Sequence, residues 1–516
     1  MMDERPSASS ITPTLIDWRN VKYNNISSLI YVIFSAHNRF NVSNLMIWNM
    51  KKHLDFLYEA KHEEIHEELL RVKIREISKT SMGRELGVRE SSKIEEIPLT
   101  SYAFYQKYYE NPGQDAFMYP LDQYVKVITS GTMGKPKGFL IPIPNILDSC
   151  SCLLSLLTVL TYDGANFTLE KGDLAYAIPA PKPFFTGWLW ETYYKNNFNQ
   201  FVKIIPEDTD LSFHEKVAYF IKNHEKIDIA MMPTSVLLYQ VFPQIKKPIK
   251  LKGFSSMDVS AGIFKEEIRE ITGKYPSVVY LSTETGVSTI PSIQHLTGFF
   301  FDWRHIYCEF LPEERAIEGD VSQVELGGIV PLDEVKPGKK YQPVVTPFKS
   351  ELTRYVMPDL LECVSMGDGV LNVDLPIFRF FARIGKVLSM HNFTRINEAE
   401  LITAFEDAGI PYFDFTARVE TEDAREHLSI YLEPKEQVEA LIIENMLHQQ
   451  LYEIDKDYRD LTDFHRYTPL KLKLLPIGTF RQFLRVKPGM PKIDRVNMKG
   501  EDFKKLLGIA RKVSSE

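Results

Sequence analysis

Between Thr129 and Gly138 the chain reads TSGTMGKPKG, placing the hydroxyls of Thr129, Ser130 and Thr132, the glycines Gly131, Gly134 and Gly138, and the ammonium groups of Lys135 and Lys137 in one short stretch. Such a stretch can wrap backbone N–H groups and positive charge around phosphates. It is not a Walker loop, because Lys135 is followed by Pro136 rather than Ser or Thr. The bland alternative is a polar surface turn. Three further segments carry chemistry-bearing side chains: YLSTETG at 280–286, with Ser282, Thr283 and the carboxylate of Glu284; RYVMPD at 354–359, ending in Asp359; and FFARIGKVLSM at 380–390, with Arg383. A fourth, GMPKIDR at 489–495, holds Lys492. His62-Glu-Glu-Ile-His66 satisfies the zincin spacing, in which two histidines one helical turn apart share a metal. Its neighbours Lys61, Glu64, Glu67 and Glu68 argue instead for a solvated, charged helix face with no third ligand.

The chain that must position these groups has 516 residues, 44% of them apolar, enough for two to four folding units. With 61 Lys+Arg against 69 Asp+Glu the net charge is −8, which argues against nucleic acid as a partner. The longest apolar runs fall short of the roughly 20 residues a membrane helix needs, so no membrane span is expected. The N-terminus lacks the apolar stretch of a secretory signal, and four cysteines make no disulfide framework, so a cytoplasmic protein is expected. Residues 1–14 are expected to be disordered.

Amphipathic spacing predicts a long helix or helix pair over 44–78. After it, short β-branched runs near 124, 174, 227 and 278 alternate with helical stretches near 145–160, 212–223, 234–241 and 262–272. That alternation predicts a parallel sheet covered by helices. Segments between about 300 and 382 read as a β-rich subdomain. Beyond about 386 a separable piece is predicted, with helices near 397–408, 435–451 and 501–511 and strands near 413–419, 428–432 and 471–475. The expected class is α/β: an N-terminal domain over 15–383 and a small, mobile α+β lid over 384–516.

Taken in order, the motifs at 129–138, 280–286, 354–359 and 380–390 resemble those of the adenylate-forming superfamily of acyl-CoA synthetases, luciferases and nonribosomal adenylation domains, and GMPKIDR resembles the ending of its amido synthetase branch. Leu281 replaces the usual Gly or Ala, and Pro358 stands where Gly is usual. Segments outside the motifs, IYCEFLP at 306–312, VPLDEVKPGKKYQPVVT at 330–346 and LSM at 388–390, are similar to the plant-type acyl acid amido synthetases, which conjugate auxin, jasmonate or benzoates to amino acids, and their microbial relatives. The resemblance implies an ATP- and Mg²⁺-dependent ligase that adenylates a small carboxylic acid and passes it to an amino acid. Thioester formation with CoA, and a catalytically silent nucleotide-binding relative, remain the alternatives.

The same resemblance implies roles for particular residues. Thr129, Ser130, Gly131, Thr132, Gly134 and Lys135 would hold phosphates, helped by Lys137. Glu284 would bind Mg²⁺, Thr283 would lie by the α-phosphate, and Ser282 and Tyr280 would complete the ATP site, with Tyr280 offering a face to adenine. Asp359 would take the ribose as a carboxylate exposed in the cleft, Arg383 would open the hinge, and Lys492 on the lid would be the catalytic lysine. The aromatic stretch Lys182–Tyr194 lines an acyl pocket or is plain core; Trp188 and Met257 are the pocket candidates. The acid, the acceptor and the oligomeric state are not legible.

Overall fold

The computed structural model describes residues 62–129, 137–256, 261, 262, 264–319, 321, 328–384, 386–390, 394, 396–422, 425–465, 467–486 and 493–514. The segment 1–14 and the first part of the helix predicted over 44–78 lie outside these residues. The second part is α1 (His62–Ser78), followed by α2 (Tyr102–Glu110). His66 is buried, not solvated: its Nε2 lies 2.7 Å from the Trp303 carbonyl, and its ring packs against Trp303, Tyr307 and Phe348. His66 here serves packing.

Next come β1 (Tyr124–Ile128) and β2 (Gly138–Pro142), which form an antiparallel hairpin on their own. The Tyr124 run is therefore no part of the parallel series in which its β-branched pattern placed it. The helix α3 (Ile143–Leu160) follows at once. Among the described residues it is the one helix long and apolar enough to cross a membrane, with mean hydropathy 1.6, yet 83% of it is buried inside the protein. Its polar side chains are matched: Asp148 meets Lys349 at 2.6 Å and His305 at 3.4 Å, and Ser155 accepts from Arg304, which itself holds Asp302. Burial of these charges is tolerable only because they are paired and hydrogen-bonded.

A five-stranded parallel sheet comes from β3 (Leu174–Ala177), β4 (Lys203–Ile205), β5 (Ile229–Met231), β6 (Gly253–Ser256) and β7 (Ser277–Val278), in the order β4-β3-β5-β6-β7. Its intervening helices are α4 (Phe185–Lys195), α5 (Phe213–Asn223) and α6 (Lys265–Thr272), with a π-helical turn at Leu237–Val241. The parallel order is what alternating strands and helices require. An eight-stranded antiparallel sheet then runs β8 (Thr289–Pro291), β9 (Phe299–Phe301), β10 (Ile306–Pro312), β11 (Val330–Pro331), β12 (Lys340–Pro347), β13 (Asp359–Ser365) and β14 (Ile377–Arg383) along the chain. In space the order is β8-β9-β14-β13-β12-β10-β11, with Tyr355–Val356 added on β12.

The C-terminal part has its own core. Helix α7 (Glu398–Asp407), strands β15 (Tyr412–Glu422) and β16 (Arg425–Pro434), helices α8 (Ala440–Ile454) and α9 (Lys456–His465), strand β17 (Leu470–Leu474), and helices α10 (Thr479–Val486) and α11 (Gly500–Val513) surround a three-stranded sheet β15-β16-β17. Its buried clusters begin at Leu388 and share no member with those before it. The protein is thus a large α/β domain joined to a small α+β one. The helices α9 and α10 have no counterpart among the sequence expectations.

Parallel sheet and α3 meet most tightly at Gly253, where an added Cβ would lie 2.5 Å from the Leu160 carbonyl oxygen and 2.8 Å from its carbon. Backbone cannot step aside as a side-chain tip can. Gly253→Ala is expected to cost about 1–3 kcal/mol through overpacking, read as a lower urea midpoint; an unchanged midpoint would show that α3 can shift freely.

Candidate active site

The hairpin turn between β1 and β2 is the TSGTMGKPKG segment. Ser130, Gly131, Thr132, Gly134 and Lys135 lie outside the described residues, but both ends of the turn are defined. Thr129 N–H donates to the Lys137 carbonyl, and Lys137 N–H donates to Thr129 Oγ1, each at 2.9 Å. Lys137 Nζ lies 5.1 Å from the centre of the Tyr102 ring, whose hydroxyl donates to the Gly138 carbonyl. The loop is therefore closed at its base by paired backbone, with Lys137 at its exit.

Asp359 and Arg383 face each other in the β13–β14 register, Asp359 opening one strand and Arg383 closing the other. Arg383 Nε donates to Asp359 Oδ1 at 2.8 Å and Nη2 to Oδ2 at 3.4 Å, while the Tyr280 hydroxyl donates to Oδ2 at 2.6 Å. Asp359 is 2% exposed, so the carboxylate expected open in a cleft is instead buried beneath two donors. The Tyr280 ring is buried too, stacked on Phe299 with centroids 5.6 Å apart. Burial and the Asp359 charge push the Tyr280 phenol well above its usual range, so its proton stays on.

Tyr280 is held at both backbone groups: its N–H donates to Thr289 Oγ1 and its carbonyl accepts from the same hydroxyl. After it the chain forms a two-strand ribbon, Leu281–Ser282 with Gly286–Val287. Ser282 Oγ accepts from Thr285 N–H and closes the turn, so its hydroxyl has a structural task. Gly286 has φ +67°, and a Cβ there would lie 2.3 Å from Ser149 Oγ of α3, which also accepts from Val287 N–H. Only glycine fits both the conformation and the approach. The turn so fixed presents Thr283 and Glu284, both half-buried. Burial, then the negative charge of Asp359, raise the Glu284 carboxyl above its ordinary value, with Arg383 and Lys137 pulling the other way. Those couplings bring Glu284, Asp359, Arg383 and Lys137 into one electrostatic cluster.

Of the two departures from pattern, Leu281 has a packing reason and nothing in the structure explains Pro358 as proline. Leu281 is half-buried against the main core. Pro358 contributes its carbonyl, accepting from Ile384 N–H at 2.8 Å. Trp188 donates its indole N–H to the Lys126 carbonyl at 3.0 Å and carries Lys182 over its ring, tying α4 to β1. Trp190 and Tyr193 of the same helix are buried core. Met257 lies outside the described residues.

Lys492 also lies outside them, but the chain just after it is anchored. Arg495 pairs with Asp414 at 2.7 Å and Glu398 at 3.1 Å, and its carbonyl and the Asn497 N–H bond Ala417 of β15. Lys386 Nζ reaches Asp494 at 3.0 Å. Sequence reasoning missed Thr289, Ser149 and Asp414, whose hydroxyls and carboxylate have no local motif.

Residues 299–383, from β9 to the end of β14, match the GH3 family central domain. Over 168 residues, 30% of this chain, the sequence is 31% identical to the 4-substituted benzoates-glutamate ligase GH3.12 of Arabidopsis thaliana, a match that spans 26% of that relative's length. Among solved structures the chain is similar to the AtGH3.15 acyl acid amido synthetase in complex with 2,4-DB, with a TM-score of 0.68 at 15% identity over 89% of this chain and 95% of that one. It is also similar to 2-hydroxyisobutyryl-CoA ligase in complex with 2-HIB-AMP, with a TM-score of 0.60 at 14% identity over 87% and 93%. The fold is the one that acyl acid amido synthetases share with acyl-CoA ligases. Within it, the stretch that matches the GH3 family central domain carries Asp359 and Arg383.

The raised Glu284 carboxyl has a signed consequence. A folded-state pKa above the unfolded one stabilises the protein at low pH, and that contribution is lost as pH rises through the folded value. Glu284→Gln is therefore expected to raise the urea midpoint of the unliganded protein at pH 7–8, with the gain vanishing as pH falls toward the ordinary value of 4.5. A gain independent of pH would remove Glu284 from the cluster.

Proposed function

We propose that this protein uses ATP to activate a small carboxylic acid as its acyl-adenylate and then passes the acyl group to the amine of an amino acid, releasing pyrophosphate and AMP. The observation that carries this reading is the buried Asp359–Arg383 pair, on which the Tyr280 hydroxyl closes and whose Asp359 charge raises the Glu284 carboxyl. Those hydrogen bonds join three of the separately recognised motifs. The GH3 central domain and the amido synthetase fold support the reading.

A free carboxylate repels nucleophiles and has no leaving group. Attack of its oxygen on the α-phosphorus of ATP expels pyrophosphate and forms a mixed anhydride, from which an amine nitrogen displaces AMP and loses a proton. The protein must neutralise the triphosphate, align the attack and exclude water. Ser130, Thr132, Lys135 and the backbone at Gly131 and Gly134 would hold the β- and γ-phosphates, with Thr129 and Lys137 fixing the loop ends. Thr283 would face the α-phosphate, with Ser282 shaping the turn beside it. Glu284 suits a divalent cation: it is a half-buried carboxylate in a locally electronegative spot, and Mg²⁺ is satisfied by one or two carboxylates plus phosphate oxygens. When bound, Mg²⁺ would neutralise phosphate charge.

For the ribose, an ionised carboxylate offers about four lone-pair sites, and Asp359 spends three on Arg383 and Tyr280. That leaves one lone-pair site for a ribose hydroxyl, reached only if the groups covering Asp359 move; a second requires the long Arg383 Nη2 contact to give way. That exchange would couple nucleotide binding to the hinge. Tyr280, whose ring is stacked on Phe299 rather than open to adenine, then supports the nucleotide through Asp359. Trp188 and Met257 remain the candidates for the acyl wall. The four cysteines are buried free thiols, as suits the cytoplasm.

Lys492, carried on the C-terminal domain, would bridge the substrate carboxylate and the α-phosphate, which ties catalysis to closure. Lys492→Ala is expected to slow pyrophosphate exchange about a hundred- to thousand-fold, as for one lost preorganised charge contact, with ATP affinity nearly kept. Normal exchange would reject the assignment.

Thioester formation is the rival that the CoA-ligase similarity keeps alive. Protein given ATP, Mg²⁺ and an acid that supports exchange is expected to form acyl amides when challenged with pooled amino acids, and no acyl-CoA when challenged with CoA, as read by product mass. Thioester alone would overturn the acceptor while leaving adenylation standing.

A further inference from the structure

The hairpin β1–β2 is a sheet of two strands, and such a ribbon is marginal without support. Near its turn it is gripped from outside: Ile128 N–H donates to the Pro183 carbonyl, the Lys126 carbonyl accepts from Trp188, and the Tyr102 hydroxyl bonds both backbone groups of Gly138. A ribbon gripped near one end still pivots about the grip. Its other end is fixed by Lys349–Arg354, a segment just after β12 that has no motif of its own.

Tyr124, the first residue of β1, donates its hydroxyl to Glu351 Oε1 and accepts in turn from Tyr119 N–H. Met118 N–H donates to the same Glu351 oxygen at 3.0 Å. On the other side β2 runs straight into α3, whose Asp148 is held by Lys349 at 2.6 Å. Both strands are therefore tied at their base to residues 349–351. The same segment is locked to the sheet that carries Asp359. Arg354 donates to both carboxylate oxygens of Glu309 on β10 and to the Ile97 carbonyl, and Thr353 N–H donates to the Tyr105 hydroxyl of α2. Arg354 has φ +46°, a conformation that a non-glycine residue keeps only where its surroundings over-determine it. Asp359 opens β13 five residues later.

Packing alone does not explain Glu351. It is 0% exposed, and its Oε2 has no hydrogen-bond partner among the described residues. The balancing cation, Lys73 of α1, is itself 1% exposed, with its ammonium on the Ser350 carbonyl. Burial draws the Lys73 ammonium down to about 7, while the Glu351 charge pulls it up. Replacing two buried charges by apolar side chains of similar volume is often neutral or stabilising. A carboxylate here therefore has a task that leucine would not perform: its Oε1 accepts two donors at once, one from the start of β1 and one from the chain leading into it.

We infer that Glu351 is a positioning residue, fixing the tilt of the β1–β2 hairpin relative to Asp359 so that the turn at 129–138 and the ribose-type carboxylate engage one nucleotide together. This rests on the proposed adenylation, in which the turn meets the β- and γ-phosphates and Asp359 the ribose. The tether then matters for ATP and not for AMP, which lacks those two phosphates.

Tyr124→Phe removes the hydroxyl of the tether and keeps the ring that packs on Phe117. Calorimetric titration of this variant is expected to show ATP affinity lowered about tenfold, as for one lost hydrogen bond to a charged group, with AMP affinity within about twofold of wild type. Equal changes for ATP and AMP, or none for either, overturn the positioning role. Glu351→Leu alone would strand the Lys73 charge, so the acceptor is tested in two double variants of equal charge. Lys73→Met with Glu351→Leu is expected to lose the preference for ATP over AMP. Lys73→Met with Glu351→Gln, whose amide oxygen still accepts both donors, is expected to restore it; the same ratio in both overturns the role of the acceptor. Hydrogen exchange separates this inference from the adenylation on which it rests. Amides of Val125–Ile128 are expected to exchange about tenfold faster in Tyr124→Phe, with those of β15–β17 unchanged, whether or not nucleotide binds. Unchanged exchange in β1 overturns the tether, whereas wild type that binds no ATP overturns adenylation and leaves the exchange result to decide the tether.

Discussion

The ion pair between Asp359 and Arg383 is the constraint around which the site is arranged. Two charges withdrawn from water are costly, and their attraction offsets that cost only with good geometry and further hydrogen bonds. The β13–β14 register supplies the geometry, and the Tyr280 hydroxyl supplies the further bond. Tyr280 is in turn pinned by Thr289 at the start of β8 and stacked on Phe299 of β9. The same pair thus draws the 280–286 turn, the antiparallel sheet and the last strand before the C-terminal domain to one point. Three residues beyond Arg383, Lys386 holds Asp494, two residues after Lys492. Two ion pairs and three residues of chain therefore link Asp359 to the segment of the other domain that follows Lys492, although their positions in sequence are far apart.

Much of this was legible in the order of residues where the signal is local. The β-rich stretch between about 300 and 382, the parallel strands near 174, 227 and 278, and the helices near 397–408 and 501–511 rest on spacing within a dozen residues. Signals that depend on distant partners failed. His66 looked solvated because its own helix is charged, but Trp303, which buries it, lies 237 residues away. Asp359 looked exposed because nothing nearby in sequence covers it; Arg383 does so only through strand register. Tyr124–Ile128 looked like another parallel strand because a short β-branched run carries no direction, and only its pairing with Gly138–Pro142 reveals the hairpin. Glu351 and Tyr124 share no motif at all.

The helix α3 shows the same division between local and distant information in a different form. Read alone, Ile143–Leu160 has the hydropathy of a membrane span. Read in the fold, it is the helix on which the parallel sheet, the Gly286 turn and the Asp302–Arg304–His305 charges all bear. Those charges answer Asp148 and Ser155, so the helix's polar residues are bonded where lipid would leave them bare.

That arrangement has a consequence for how the chain is made. Ser155 and the Arg304 that caps it are 149 residues apart, so at about 5–20 residues per second a ribosome delivers the cover on the order of ten seconds after the helix. Throughout that interval the nascent chain displays an apolar cylinder with Asp148 unanswered. Slowing translation before codon 302 would lengthen that interval.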